Sequence, residues 1–229
     1  MEINNSRFIR NAGLIDQEKL NEITIIGLGS IGSTIVQDVT MMGYRKIHLI
    51  DFDTIDEHNL STTRYSEQGV GQLKIQQAET ECKCLNYNVI IEQIPLRLER
   101  LLEINKGKLP TESVIICTDN MNSRKLAYEA WVKSETREIF VDVRMASLTM
   151  QRVIATKNND NYMSHFVEDD TIPEAPCAIK HTVFTTSIIA GLAVSGLFGI
   201  LMNRPTYDYA YMSINPLLLI TNKGKLILE

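Results

Sequence analysis

The sequence predicts an α/β fold, in which a doubly wound, mainly parallel β-sheet carries helices on both faces. Short runs rich in β-branched residues alternate with segments of helical length over the first 143 residues, an order typical of parallel sheets. A glycine-rich turn, GLGSIG at 27–32, also follows the first apolar run directly. In Rossmann-like folds such a turn joins the first strand to a helix that begins beside a nucleotide.

The individual elements follow from the spacing of apolar residues. Five strands are predicted before residue 144 and a sixth after it, at 23–27, 46–51, 88–94, 113–118, 138–143 and 148–156. Helices are predicted between them, at 30–42, 72–85, 97–105 and 121–135. The sixth strand alternates apolar and polar residues, so we expect it not to be fully buried.

The C-terminal third has a different pattern. Residues 157–180 are polar, contain prolines and show no period, which predicts a long crossover loop. An apolar helix around 188–202 follows, and then short antiparallel strands are expected at 208–214, 217–221 and 225–229. The length of 229 residues fits one domain, 1–229, with an N-terminal helical arm at 1–22 and a C-terminal part at 181–229.

Composition excludes several classes of function. With 44% apolar and 22% charged residues the chain reads as a soluble globular protein, and its net charge of −5 gives no reason to expect nucleic acid as a partner. The apolar run at 188–202 is short for a membrane span, so we expect a buried helix and no membrane association. The first 20 residues lack an apolar signal core, which predicts a cytoplasmic location.

The glycine turn predicts a nucleotide site. Gly27 would permit the tight turn, Gly29 the approach of a phosphate to the backbone, and Gly32 close helix packing. A helix beginning near Ser30 would offer unpaired N–H groups to an anion. Asp51 lies 19 residues beyond Gly32, where a ribose-binding carboxylate is expected. A tight turn without a ligand is the alternative, and the turn alone does not distinguish NAD from ATP.

Charged and polar residues beyond the turn favour a triphosphate over a dinucleotide. Asp53, Asn59, Arg64 and Lys74 lie within 24 residues of Asp51. A lysine there can neutralise phosphate charge during displacement. A capping role is the alternative for Asp53.

A second group of site residues follows the buried run at 113–118. Asp119 and Asn120 stand at the carboxyl end of that predicted strand, the edge where doubly wound sheets bind their ligands. An acid beside a triphosphate most plausibly holds magnesium.

Taken together, these motifs resemble those of the ubiquitin-activating-type adenylating enzymes, a family that includes the bacterial ThiF and MoeB proteins. The resemblance extends over residues 7–200, and its specificity comes from the order and spacing of several motifs. The matching segments are RFIR with QEKL, GLGSIGS, LIDFDTIDEHNL, GQLKIQQA, CTDNMNSR and RM at 144–145. The resemblance identifies the whole chain as a single adenylation domain.

The resemblance implies ATP rather than NAD. It assigns Asp51 to the ribose hydroxyls, Lys74 to the phosphates, Asp119 to magnesium and Asn59 to the phosphate site. Arg10, the second arginine of RFIR, would reach the γ-phosphate bound by a neighbouring subunit, which implies a homodimer. The implied reaction joins the C-terminal carboxylate of a small ubiquitin-like protein or peptide to the α-phosphate of ATP, giving an acyl-adenylate and pyrophosphate.

The chain departs from the family pattern at several positions. The family places an arginine where this chain has Thr62, and we expect Arg64 to replace it. The family's C-x-x-C pairs are absent, so no structural zinc is predicted. Cys177 follows Pro176 in the long polar loop, where family members often carry a thioester or persulfide cysteine. It is either such a thiol or an incidental loop residue.

Other interpretations remain open at this point. An NAD-dependent oxidoreductase would use the same glycine turn, and a non-catalytic family member would keep the fold but act as a partner subunit. Arg144 is either a site residue or part of a structural ion pair. Cys117 is expected in the core.

Overall fold

A computed structural model describes residues 6–166, 182–222 and 224–226. Within them, strands β1–β9 are Glu22–Ile26, Lys46–Ile50, Ile90–Ile94, Ser113–Ile116, Ile139–Ala146, Thr149–Thr156, Tyr209–Ile214, Leu217–Thr221 and Gly224–Leu226. Helices α1–α5 are Ser30–Met42, Lys74–Leu85, Leu98–Ile104, Met121–Val132 and Val183–Leu201.

All nine strands belong to one sheet, in the order β3-β2-β1-β4-β5-β6-β7-β8-β9. The first five pair in parallel, and each later pair is antiparallel. Ile26 of β1 lies between Ile50 of β2 and Ile116 of β4, so the strand order reverses on either side of β1. The predicted fold class is therefore confirmed, including the antiparallel strands near the C-terminus.

Alternating side chains of the strands fill two cores, one on each face of the sheet. Ile23 and Ile25 pack in the core that α1, α2 and α5 cover, whereas Ile26 packs in the core beneath α3 and α4. This second core contains Trp131 and Phe140, whose rings lie 5.6 Å apart. Burial of both faces explains why β1, β2, β4 and β5 read as mainly apolar runs, whereas the edge strand β3 is largely exposed.

The apolar helix α5 begins earlier than predicted, at Val183, and packs against α1, β5 and β6. One side, which includes Ile189 and Ala193, is fully buried, while Phe184 and Ile188 are exposed on another side. In the described part of the chain, α5 is the one helix that is long and apolar enough to span a membrane by length and composition. Its contacts with the sheet agree with the predicted core helix.

The described part of the N-terminal arm contains two single-turn 3₁₀ helices, Ile9–Asn11 and Gln17–Lys19. Gln17 Nε2 donates to the carbonyl of Met42 at 3.2 Å, and Arg7 donates to the carbonyl of Leu85. Met42 and Leu85 are the last residues of α1 and α2. The arm therefore lies at the amino-terminal edge of the parallel strands, opposite the glycine turn.

Candidate active site

The carboxyl ends of the parallel strands form the edge at which the predicted site residues collect. The glycine turn follows β1, Asp51 follows β2, and Asp119 follows β4. The amino ends of α1, α2 and α4 lie at the same edge, because each helix begins after a strand has ended there. Their N–H groups and partial positive charges favour an anion in the crevice between β1 and β4, where the strand order reverses.

The glycine turn is shaped by two close approaches of backbone to backbone. Gly27 has a φ of 86°, and a Cβ on it would lie 3.0 Å from the backbone of Cys117 and Thr118. A Cβ on Gly32 would lie 1.9 Å from the carbonyl oxygen of Gly27, so only glycine fits there. Gly29, the N-cap of α1, faces open space instead. The phosphate predicted to approach the backbone at Gly29 would occupy this open space.

Asp51 braces the glycine turn from the end of β2. Its Oδ2 accepts from the N–H of Leu28 at 2.6 Å and its Oδ1 from the N–H of Asp53 at 2.8 Å. The residue is 8% exposed, and burial raises the pKa of the carboxyl despite these hydrogen bonds and nearby Lys74. Each carboxylate oxygen keeps a further lone pair, so the predicted contact with a ribose hydroxyl remains chemically possible.

Tyr65 also supports the glycine turn, a role that was not predicted from the sequence. Its hydroxyl donates to the carbonyl of Leu28 at 2.7 Å, and its side chain is buried. Burial, followed by the charge of Asp51, raises the pKa of this phenol. Leu28 is thus held through its N–H by Asp51 and through its carbonyl by Tyr65. The turn is therefore fixed from both sides.

Lys74 and Asp53 form an ion pair at the amino end of α2. Lys74 Nζ lies 2.8 Å from Asp53 Oδ2, and the N–H of Lys74 donates to the carbonyl of Asp53 at 2.9 Å. The lysine side chain is only 11% exposed, whereas that of Asp53 is 48% exposed. Asp53 therefore holds the ammonium group at the site edge while leaving its own carboxylate open to solvent.

Asp119 and Asn120 are both exposed in the turn between β4 and α4. Asn120 is the N-cap of α4, since its side-chain oxygen accepts from the N–H of Ser123 at 2.7 Å, and its Nδ2 lies 3.4 Å from Asp119 Oδ1. Among the described residues no three His, Cys, Asp or Glu side chains gather as a metal site. An exposed carboxylate suits magnesium, which commonly takes one or two protein carboxylates with phosphates and waters.

Asn59 and Arg64 occupy the segment between Asp51 and α2. Asn59 Oδ1 accepts from the N–H of Asp56 at 3.0 Å, which closes a 3₁₀ turn at Glu57–Asn59. The guanidinium of Arg64 donates to Ser187 Oγ of α5 at 2.8 Å. Both residues therefore have structural partners here, and their predicted contacts with phosphate stay predictions.

Arg144 proves to be part of a buried ion-pair network. Its Nη2 lies 2.6 Å from Asp142 Oδ2, and Asp142 also pairs with Arg124 of α4. Of the two open alternatives for Arg144, the structural ion pair is therefore correct. Neither Asp142 nor Arg124 was predicted from the sequence as a site residue, although Arg124 ends the CTDNMNSR motif. Cys117 lies beside this network, and burial raises the pKa of its thiol to about 12.

Comparison with known proteins identifies the family. A family model described as the ThiF family matches residues 4–222. The chain belongs to the ThiF family.

Among characterised relatives, ubiquitin-like modifier-activating enzyme 5 of Gallus gallus is 22% identical over 237 residues, covering 90% of this chain and 57% of the relative. Molybdopterin-synthase adenylyltransferase of Salmonella typhimurium is 27% identical over 128 residues, covering 54% of this chain and 51% of the relative. This ThiF-family chain therefore spans little more than half the length of these relatives.

Solved structures agree on the fold. The crystal structure of E. coli MccB with ATP superimposes with a TM-score of 0.74 at 16% identity, covering 96% of this chain and 71% of MccB. The structure of PaaA gives a TM-score of 0.72 at 17% identity, covering 92% of this chain and 67% of PaaA. At such identities the likeness concerns the fold of this ThiF-family chain alone.

One predicted site residue, Arg10, lies apart from the others. Arg10 is exposed in the arm, two residues from Phe8, which lies beside Gly43 at the carboxyl end of α1. Because α1 has 13 residues, this end lies about 20 Å from the glycine turn, beyond the reach of an arginine side chain. Cys177 lies outside the described residues.

A cavity of about 1180 Å³ in this ThiF-family structure lies away from the candidate site. It opens at the amino-terminal edge of the sheet, near the beginnings of β1, β4 and β5. Residues around it include Glu22, Tyr44, Ser113, Arg137 and Glu138. The predicted nucleotide-binding residues lie instead at the carboxyl edge of the sheet.

Proposed function

We propose that this chain uses ATP to adenylate the C-terminal carboxylate of a small ubiquitin-like protein or peptide. The proposal rests on the gathering of the glycine turn, Asp51, Lys74 and Asp119 at one edge of the sheet, beside three helix amino ends. Hydride transfer from NAD has no use for the buried Lys74 and the exposed Asp119 at this edge of the sheet.

The proposed reaction needs no general base, because a carboxylate is already a nucleophile. One carboxylate oxygen forms a bond to the α-phosphorus of ATP while the bond from that phosphorus to the bridging oxygen breaks. Pyrophosphate leaves with the electron pair of the broken bond. The task of the protein is to align the two reactants and to neutralise the charge that develops on phosphate oxygens.

Each site residue has a role in this scheme. Asp51 accepts a hydrogen bond from a ribose hydroxyl, and the N–H groups at the start of α1 donate to phosphate oxygens. The ammonium group of Lys74 turns from Asp53 towards the phosphates. Asp119 would hold magnesium, which when bound neutralises phosphate charge and orients the leaving pyrophosphate. Arg64 would have to leave Ser187 to supply the charge that the family places at position 62.

The names of the relatives support an adenylation reaction. One relative is a molybdopterin-synthase adenylyltransferase, and several are ubiquitin-like modifier-activating enzymes. MccB has been solved with ATP and also with AMPCPP and MccA. Because this chain spans only part of those relatives, its substrate and activity are proposals.

A thermal shift tests the nucleotide directly. We expect ATP with magnesium, at about one hundred times its Kd, to raise the melting temperature by about 5–10 °C, because ligand binding to the folded state stabilises it. NAD at the same concentration should cause no shift. Stabilisation by NAD but not by ATP would support the oxidoreductase and overturn the proposal.

Catalysis itself is measured by ATP–pyrophosphate exchange in the presence of candidate proteins or peptides with free C-termini. Exchange that depends on the free carboxylate supports adenylation. The alternative outcome is that the chain binds ATP and shows no exchange with any ubiquitin-like candidate or copurifying partner chain. That result would favour a non-catalytic partner subunit.

A later transfer to Cys177 is part of the same proposal. The thiolate would attack the acyl carbon, forming a thioester as the bond to AMP breaks. In Cys177→Ala we expect loss of a covalent enzyme–substrate band that thiol reagents cleave, while pyrophosphate exchange continues. Cys84→Ala, which removes an exposed cysteine of α2, is the matched control. Persistence of the band in Cys177→Ala would show that Cys177 has no part in the transfer.

We further propose a homodimer with composite sites. Arg10 lies at the far edge of its own sheet, so a contact with phosphate requires the site of a second subunit. Mixing subunits of two inactive variants, one altered at Arg10 and one at Lys74, tests this arrangement.

A further inference from the structure

Asp142 is a fully buried carboxylate at the carboxyl end of the parallel sheet. It lies in β5, beside Ile116 of β4, and its exposure is 0%. A charge without water around it is stable only when hydrogen bonds and opposite charges replace the water. The partners of Asp142 therefore show what this carboxylate organises.

Three side chains donate to Asp142. Arg124 of α4 donates through Nη1 to Oδ1. Arg144 donates to Oδ2 through Nε at 2.9 Å and Nη2 at 2.6 Å, and the hydroxyl of Tyr162 donates to the same oxygen at 2.8 Å. The two arginine side chains are only 6% and 14% exposed. The carboxylate thus fixes two guanidinium groups that have little access to solvent.

The two arginines hold different segments with their remaining N–H groups. Arg124 donates through Nη2 to the carbonyl of Thr118, the residue before Asp119, and through Nη1 to the carbonyl of Val143 at 3.0 Å. β4 ends at Ile116, so the carbonyl of Thr118 lies beyond the strand pairing of the sheet. The direction of the Asp119 turn therefore depends on Arg124.

Arg144 and Tyr162 hold the second segment. Arg144 Nη1 donates to the carbonyl of His165 at 2.7 Å, and Tyr162 and His165 bound a 3₁₀ turn. This turn precedes residues 167–181, the part of the chain that contains Cys177. One carboxylate consequently links the turn that carries Asp119 to the 3₁₀ turn at Tyr162–His165.

We propose that Asp142 is a positioning residue for the adenylation site, which sets the place of Asp119 through Arg124 and the place of the 162–165 turn through Arg144 and Tyr162. The inference rests on the proposed function. The substitution Asp142→Asn would keep the shape of the side chain but remove the charge that orients both guanidinium groups. Asp119 would then bind magnesium in a less fixed geometry, although no ligand atom has been removed.

The experiment measures the magnesium concentration that gives half of the ATP-dependent thermal shift in the full chain. We expect Asp142→Asn to raise this midpoint about tenfold, the usual scale for residues that orient a metal ligand. Tyr162→Phe, which removes one hydrogen bond to Asp142, should raise it about threefold on the same reasoning. The melting temperature without ligands is recorded for each variant, because a purely structural role would change that temperature alone.

Tyr128→Phe is the matched control. The rings of Tyr128 and Tyr162 stack 4.3 Å apart, but the hydroxyl of Tyr128 donates to Asp160 instead of Asp142. The magnesium midpoint of Tyr128→Phe should therefore equal that of the wild type. Equal midpoints in Tyr162→Phe and Tyr128→Phe would overturn the positioning role, even if Asp142→Asn fails to fold. Wild-type protein that shows no ATP–magnesium shift would overturn the proposed function as well, so the two failures are distinguishable.

Discussion

Asp119→Ala is expected to lower ATP–pyrophosphate exchange by about a thousandfold, because the site would lose its magnesium-binding carboxylate. Asp119 is exposed in a turn, so its removal should change the free energy of unfolding by no more than about 0.5 kcal/mol. The melting temperature of the free protein should therefore stay within about 2 °C of the wild type. Activity and stability are measured on the same preparation.

Glu129→Ala is the control for Asp119→Ala. Glu129 is also an exposed acid, but it lies in α4 well after the amino end of that helix. The control variant should retain wild-type exchange. If Asp119→Ala kept more than one-tenth of wild-type exchange, Asp119 would not be the magnesium ligand, and the assignment of the site would be wrong.

Lys74→Ala and Arg10→Ala are each expected to lower exchange at least about a hundredfold, since each removes a cation that faces phosphate in the proposed site. Mixed in equal amounts and allowed to exchange subunits, they should recover about a quarter of wild-type activity if each site takes residues from both subunits of a two-fold dimer. Half of the dimers would then be mixed, and one of the two sites in each would be intact. Pyrophosphate exchange before and after mixing measures the recovery.

A second mixture is the control for this experiment. Lys74→Ala and Asp119→Ala alter residues at the same edge of one sheet, so a mixed dimer of these variants has one defect in each site and should stay inactive. Recovery in both mixtures would point to an artefact of mixing. No recovery in either mixture, with dimers confirmed by their mass in solution, would show that Arg10 does not act across subunits.

The sheet and the glycine turn could be predicted because their causes are local in the sequence. Apolar runs that are buried on both faces mark the parallel strands, and Gly32 follows the first strand at the spacing that close packing against Gly27 requires. Asp51 was found for the same reason, since a strand end fixes its place. In each case residues that are close in the sequence contain most of the information needed for the prediction.

The supports of the site could not be predicted in this way. Tyr65 lies 37 residues from Leu28, and Tyr162 lies 20 residues from Asp142. Contacts of this kind depend on which distant segments come together in the folded chain. A single tyrosine or aspartate forms no repeating pattern from which such a contact could be predicted. The ion pair of Arg144 with Asp142 differs from these contacts, because the two residues stand two apart in β5 and share one face of that strand, a local signal in the sequence.

The double brace on Leu28 has a consequence for the thermodynamics of binding. A turn already held by Asp51 and Tyr65 loses little conformational freedom when a nucleotide arrives, so little of the attraction for phosphate is offset by ordering. The same brace makes Asp51 serve two purposes at once. Removing its carboxylate would loosen the loop that receives the phosphates as well as the contact with the sugar, so a weakened affinity in that variant would not measure ribose recognition alone.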